Sequence, residues 1–380
     1  MTNAAHGSPT AQPRYFDSAS SEPLHPAARA TLLAALDQGY ADPRRLHGPG
    51  RSARLLLDNA RAVVAEGLGV RPDEITFTSS GTDAVHRGLL GLRRARARVG
   101  RRIVHTAVEH SAVLHAASWT GDEHDSSPVD PQGRVLVPDL LARAAGAAVV
   151  AVQAANHEVG TVQPVMEISE RLGDVPLFMD ARASAGRVTL PHGWSVAAAS
   201  AHLWGGPAGV GVLLVRKGVR WSSPFPYDDR VDDRASGFEN VPAALAAAAA
   251  LQAVVAERDS LNARHTALVD RVRASVAQIP DTDVVGDPVD RLPHLVTFSF
   301  LYADGEALVH ALDRRGFGVA SGSACTASTL EPSHVLAAMG ALTHGNVRLS
   351  LTRDATEADI DAFLEVLPTV VSEIRADVGL

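Results

Sequence analysis

The chain has 380 residues, 46% of them hydrophobic and 21% charged, which excludes a disordered polymer and leaves room for about two domains. A formal net charge of -8 argues against nucleic acid as a partner. No apolar run in the sequence nears the ~18–20 residues that cross a bilayer, and the start, MTNAAHGSPTAQPRYF, lacks the charged-then-apolar plan of a secretory signal.

Residues 1–14 are small, polar and proline-containing, and read as a flexible tail. Residues 26–36 (PAARATLLAAL) have helical periodicity, and a loop rich in Gly, Pro and Arg, ADPRRLHGPGRSA, follows. A second helix is expected over about 52–68, with Leu55, Leu56, Ala60, Val63 and Val64 on one side. Residues 74–78 (EITFT) read as a strand and 82–92 as a helix. The alternation then repeats, with strands at 103–106, 147–153, 176–179 and 210–215 and helices at 111–118, 136–144 and 166–172. Short apolar strands alternating with helices predict an α/β fold: a large domain whose mainly parallel, seven-stranded-type sheet is covered by helices on both faces. A long alanine-rich helix at about 242–276 leaves this pattern, and 295–300, 306–314, 347–351 and 357–374 predict a smaller C-terminal α+β domain. The expected division is 15–250 for the large, cofactor-binding-type domain and 251–380 for the small one. The arginine run LRRARARVGRR at 92–102 reads as the solvated end of a helix, where cations suit the helix dipole.

Two residue counts are informative. Cys325 is the single cysteine, so no intrachain disulfide can form, and a cytoplasmic location is expected. Of the 35 basic residues only Lys217 is a lysine, so chemistry that needs a lysine has one candidate.

Several segments look chemical. SSGTDAVHRG at 79–88 turns from a strand into a helix, and Gly81 and Thr82 stand where free N–H groups would favour a phosphate. Asp180 ends an apolar strand at the carboxyl edge, where open α/β sheets bind ligands. Ser200 and His202 precede a Gly/Pro loop, and His110 sits at a strand-to-helix junction, where its ring could stack on a flat ligand. Cys325 lies among Gly, Ser, Ala and Thr, a composition that suits an exposed loop, and Arg348 begins a strand with a fork that suits a carboxylate. His105, His110 and His115 do not align on one helix face and no CxxC occurs, so no metal site is expected.

In order and spacing, LHGPGRSAR, EITFTSSGTDA, VEHSAVL, NHEVGTVQPV, the Asp180 strand, GGPAGVG after Ser200 and His202, and SGSACTASTLEPSHVLAAMG resemble the cysteine desulfurases of the class V aminotransferase superfamily, over nearly the whole chain. The resemblance implies fold type I of the pyridoxal-phosphate enzymes and a homodimer with sites at its interface. It implies that Gly81, Thr82, Ser200 and His202 hold the cofactor phosphate, that His110 stacks on the pyridine ring, and that Asp180 pairs with the ring nitrogen. Arg348 and Asn156 would bind the substrate, L-cysteine, and Cys325 would attack its sulfur and carry a persulfide to a sulfur-acceptor protein.

The chain departs from the family pattern at the site itself. Where the family reads Ser-Gly-His-Lys, this chain reads Ser200-Ala201-His202-Leu203, so a leucine stands at the position of the Schiff-base lysine. Lys217 cannot replace it, because it lies past the far end of the strand VGVLLV, itself about six residues or ~20 Å long when extended. His157 replaces an asparagine, Arg182 and Ala183 replace Thr-Gln, and Phe238 replaces the threonine of Ser-Gly-Thr. Three readings follow. One is a desulfurase-like scaffold or regulator, as a homodimer or paired with an active relative, holding pyridoxal phosphate non-covalently if at all. Another is sulfur transfer through a Cys325 persulfide, either relayed from another protein or formed slowly from L-cysteine. The last is different ligand chemistry in a reshaped pocket.

Overall fold

A computed structural model describes residues 13–227, 232–321 and 332–377. A seven-stranded sheet with order β2-β8-β7-β6-β5-β3-β4 forms its centre. The strands are β2 (Ile75–Thr78), β3 (Ile103–Thr106), β4 (His124–Ser127), β5 (Val149–Gln153), β6 (Leu177–Asp180), β7 (Val196–Ser200) and β8 (Gly211–Val215). All neighbours pair in parallel except β8, which is antiparallel to both β7 and β2. The expected mainly parallel sheet is therefore present.

Its strands are buried on both sides, and alternate residues feed two cores. Val150, Val152, Leu177, Met179, Val212 and Leu214 face helices α2 (Gly48–Leu68), α5 (Val137–Ala144), α6 (Val165–Arg171) and the first half of α7 (Val241–Val276). Val149, Ala151, Phe178, Leu213 and Val215 face α3 (Gly81–Ala95) and α4 (Ser111–Trp119). This period-two division across one run of strands is what a doubly covered sheet requires.

A third core lies in the C-terminal region. Antiparallel strands β9 (Thr282–Val285), β10 (Leu295–Phe300) and β12 (Asn346–Ser350) pack with α8 (Gly305–Asp313), α10 (Glu357–Asp377) and the second half of α7, through Val269, Val272, Phe298, Phe300 and Phe363. The N-terminal segment joins this core: β1 (Arg14–Tyr15) pairs in parallel with β11 (Phe317–Gly318), and Phe16 packs against Phe317 and Phe363.

Several expectations need correction. Helix α2 begins at Gly48, four residues before the expected start, because the His47 ring accepts the Gly50 N–H at 3.1 Å and Pro49 suits a first turn. Its buried face is Ala53, Leu57, Ala60 and Val64, while Leu55 is 71% exposed. Helix α7 is long and apolar enough, by length and composition, to cross a membrane, so the sequence holds a longer apolar stretch than expected. Its alanine face is spent instead on α1 (Pro26–Leu36) and α2, where Ala243, Ala246, Ala247 and Ala250 are buried. The arginine run does close α3: Arg93 pairs with Asp122, and Arg96 donates to the Asp174 carbonyl at 2.9 Å.

Candidate functional site

Thr78, Thr106, Gln153, Asp180 and Ser200 end strands at the same edge of the sheet, and the antiparallel β8 begins there at Gly211. The candidate residues collect at this carboxyl edge, as expected for an open α/β sheet.

Gly81 opens α3, whose N-cap Ser80 accepts the Asp83 N–H at 3.0 Å, and Thr82 follows in the first turn. A Cβ on Gly81 would lie 2.6 Å from Ser200 Cβ and 2.8 Å from Arg182 Cδ, so only glycine permits these elements to meet. The Ser200 hydroxyl and His202 Nδ1 are 2.9 Å apart. His202 lies in the short helical turn 201–204 after β7, and Leu203 follows it. A small cavity of about 10 Å³, roughly the minimum for one water molecule, lies between Leu203, Ala183, His157, Ser18 and His294. Lys217 lies beyond the other end of β8, where its backbone N–H donates to Glu74 at 2.8 Å.

Asp180 ends β6, as expected, but it already has a partner. Arg182 Nε donates to both its oxygens, at 2.9 and 3.1 Å, and Nη2 donates to Oδ2 at 2.6 Å. The Arg182 backbone N–H adds a further bond to Oδ1 at 3.1 Å. The two residues are only 5% and 8% exposed. His110 caps α4 through Nδ1, which accepts the Ala112 N–H at 3.0 Å, and its ring packs against His157 with centroids 4.7 Å apart. Burial, and then the Arg182 charge, hold His110 far below the usual imidazole range and also lower His202.

Asn156 builds the following turn. Its Oδ1 accepts the N–H groups of Glu158 and Val159, each at 2.8 Å, and its Nδ2 donates to the Val108 carbonyl at 3.1 Å. Arg348, on β12, donates to Asp17 at 2.8 Å, to the Ser20 hydroxyl at 2.6 Å and to the His157 carbonyl at 3.1 Å. Its Nε is buried with no partner among the described residues. Ala320, bridged to Arg348, and Ser333, whose hydroxyl donates to Glu158 at 2.6 Å, flank the segment that carries Cys325. Cys325 itself lies outside the described residues.

The structure thus brings Gly81, Thr82, Ser200, His202, Asp180 and His110 together at one edge, with Arg348 entering from β12. Sequence reasoning assigned no role to Asp17 and Ser20, which hold Arg348, or to Glu109 below the site. Burial pushes the Glu109 carboxyl up to about 8, and its Oε2 has no partner among the described residues. The signal was weak in each case: Asp17 lies near the chain start, and Glu109 is masked by the more conspicuous His110 beside it.

Comparison with known proteins agrees with this geometry. A family model described as "Aminotransferase class-V" matches residues 14–363. The chain is 38% identical over 383 residues to "IscS-like cysteine desulfurase" of Mycobacterium tuberculosis, covering 95% of this chain and 97% of that protein. It is 33% identical over 374 residues to "Cysteine desulfurase IscS" of Methanosarcina thermophila, covering 95% and 92%. A solved structure titled "NIFS-LIKE PROTEIN" superposes with a TM-score of 0.86 at 28% identity, over 95% of this chain and all of that one (100%).

Proposed function

The chain belongs to the cysteine desulfurase family of the class V aminotransferases, and from that premise we propose that it is a member without ordinary L-cysteine turnover, acting as a scaffold or regulator. The observation that carries this reading is Leu203, the residue after Ser200-Ala201-His202. An aliphatic side chain forms no imine and moves no proton, whereas an amine at this place does both.

Relatives in this family use pyridoxal phosphate, but the residues here do not fit it in the manner the resemblance implies. The Asp180 carboxylate is engaged by Arg182, and His157 packs on the His110 ring. No reaction step is therefore assigned to that cofactor. The scaffold role has support on the surface. Leu33, Leu36, Tyr40, Leu46 and Leu55, on and between α1 and α2, are all more than half exposed, and Phe238 lies over Arg44 of the same region. We read them as the face that receives a second copy or an active relative, in the cytoplasm.

A second reading is favoured by Arg348, whose Nε has no partner among the described residues and which is bridged to Ala320 before the Cys325 segment. In it the Cys325 thiolate attacks the outer sulfur of a donor protein's persulfide. The S–S bond breaks, the donor leaves as a thiolate, and Cys325 passes the sulfur to an acceptor by the same exchange.

The test is direct. Borohydride reduction of the native chain incubated with pyridoxal phosphate is expected to leave no coenzyme on any of its peptides, and L-cysteine is expected to yield no alanine or sulfide above background. A peptide carrying the reduced coenzyme sinks the reading. Loss of sulfide release in Cys325→Ala, with release in the unaltered chain, moves the assignment to sulfur transfer. Leu203→Lys alone is expected to leave activity near background, because Arg182, Ala183 and Phe238 remain. Turnover like that of an ordinary relative, in the same assay, would refute this.

A further inference from the structure

We propose that Arg182 is a built-in occupant of the ring subsite: it keeps Asp180 as its own counter-ion, so this chain does not offer that carboxylate to a protonated pyridine nitrogen. The proposal rests on the reading that Asp180 is the ring-facing carboxylate, and it concerns non-covalent binding, which Leu203 does not decide.

The contact is a fork. Nε and Nη2 engage both carboxylate oxygens at 2.6–3.1 Å, and the backbone N–H of Arg182 takes a further lone pair. A carboxylate has about four acceptor positions, so little is left for an incoming N–H. Planar guanidinium and planar carboxylate match in geometry, and such bidentate pairs are among the stronger charge-assisted contacts. The Asp180 and Arg182 side chains are 5% and 10% exposed, so water competes weakly for either.

The backbone also confines the arginine. Ala181 N–H donates to the Ala198 carbonyl at 2.9 Å, and the Ala181 carbonyl accepts from Ser184 at 3.1 Å and Ala185 at 2.8 Å. Arg182 thus starts from a fixed turn two residues after Asp180. Its stem runs over the start of α3, close enough that a Cβ on Gly81 would be 2.8 Å from its Cδ. A ligand that reaches Asp180 must move this stem and strip a buried guanidinium of its counter-ion, which is costly when one partner of a buried pair is left behind. The same charge, after burial, helps keep His110 and His202 neutral.

The consequence is a discrimination by charge. A flat ligand with a protonated ring nitrogen has no free anion to meet at the end of β6. Shortening residue 182 restores one.

Equilibrium dialysis with pyridoxal phosphate tests this on the full chain, on Arg182→Thr, and on the double variant Asp180→Asn with Arg182→Thr. Arg182→Thr is expected to bind roughly tenfold or more tightly than the unaltered chain, because it frees a buried carboxylate. The gain is expected to vanish in the double variant. Equal affinities for the unaltered chain and Arg182→Thr, or a gain that survives loss of Asp180, overturn the proposal. If the single variant does not fold, the unaltered chain gives the answer by itself. The Arg182 Nε–H is expected to stay protected from exchange in nitrogen-15 NMR spectra when excess pyridoxal phosphate is added, and its release overturns the proposal. A borohydride-reducible adduct would sink the Leu203 reading and leave this one standing; equal affinities would do the reverse.

Discussion

Replacing Arg187 by alanine is expected to destabilise the folded chain by about 3–5 kcal/mol, the range for removing one partner of a buried ion pair. The Arg187 and Glu22 side chains are 5% and 7% exposed, and Nη2 lies 2.5 Å from Oε2. The other Glu22 oxygen accepts the Arg353 backbone N–H at 2.9 Å, and the Glu22 backbone N–H donates to the His202 carbonyl at 2.9 Å. The Arg187 carbonyl in turn accepts from Asn262 of α7 at 2.8 Å. One pair therefore ties the N-terminal segment, the turn that holds Leu203, the long helix and the loop after β12. Without the arginine, Glu22 stays buried as an anion that has lost its guanidinium partner. Urea unfolding measures the loss. A paired variant, Glu22→Gln with Arg187→Met, is expected to recover most of it, because the orphaned charge and not the missing contact carries the cost. A loss below about 1 kcal/mol in Arg187→Ala would place the pair in the class of exposed ion pairs.

That pair also marks what a sequence conceals. Strands such as VVAVQ and LVTFSF announce themselves by continuous apolar character, and they are found where expected. Strand β7 (VAAAS) is mostly alanine, which carries no strand preference, and its place is set by β6 and β8 on either side. Strand β4 (HDSS) is a polar edge strand held by β3 alone, so it has no apolar signature. The candidate site was legible through local motifs, because each of its elements follows a strand end: Gly81 after β2, His110 after β3, Asp180 on β6, Ser200 on β7. Arg182 was visible only as a departure from a pattern. That its guanidinium folds back onto Asp180 depends on a turn geometry that two letters do not specify. Glu22 and Arg187 stand 165 residues apart, and nothing local to either predicts the other.

The pH dependence of stability is expected to carry a signature of Glu109. Its carboxyl is fully buried; Oε1 accepts the Thr106 hydroxyl at 2.7 Å and the Gln153 N–H at 2.9 Å, while Oε2 has no partner among the described residues. Burial first, and the nearby Asp180 charge as well, push it from 4.5 up to about 8, against the pull of the Thr106 and Gln153 hydrogen bonds and of His157. The unfolded chain gives up this proton near 4.5 and the folded chain near 8. Between those values the folded state binds more protons, so stability falls as pH rises, by up to ~1.4 kcal/mol per pH unit from this group. Below the lower value both states are protonated and above the higher both are ionised, so the slope flattens at each end. Glu109→Gln keeps an acceptor for Thr106 and Gln153 and removes the titration. Relative to the unaltered chain, the variant is expected to gain about 2 kcal/mol in urea unfolding between pH 6 and pH 8. Every other titrating group is common to the two chains, so the difference belongs to this carboxyl and its neighbours. Parallel stability curves would mean that Glu109 is already ionised in the folded chain at pH 6, and would overturn the prediction.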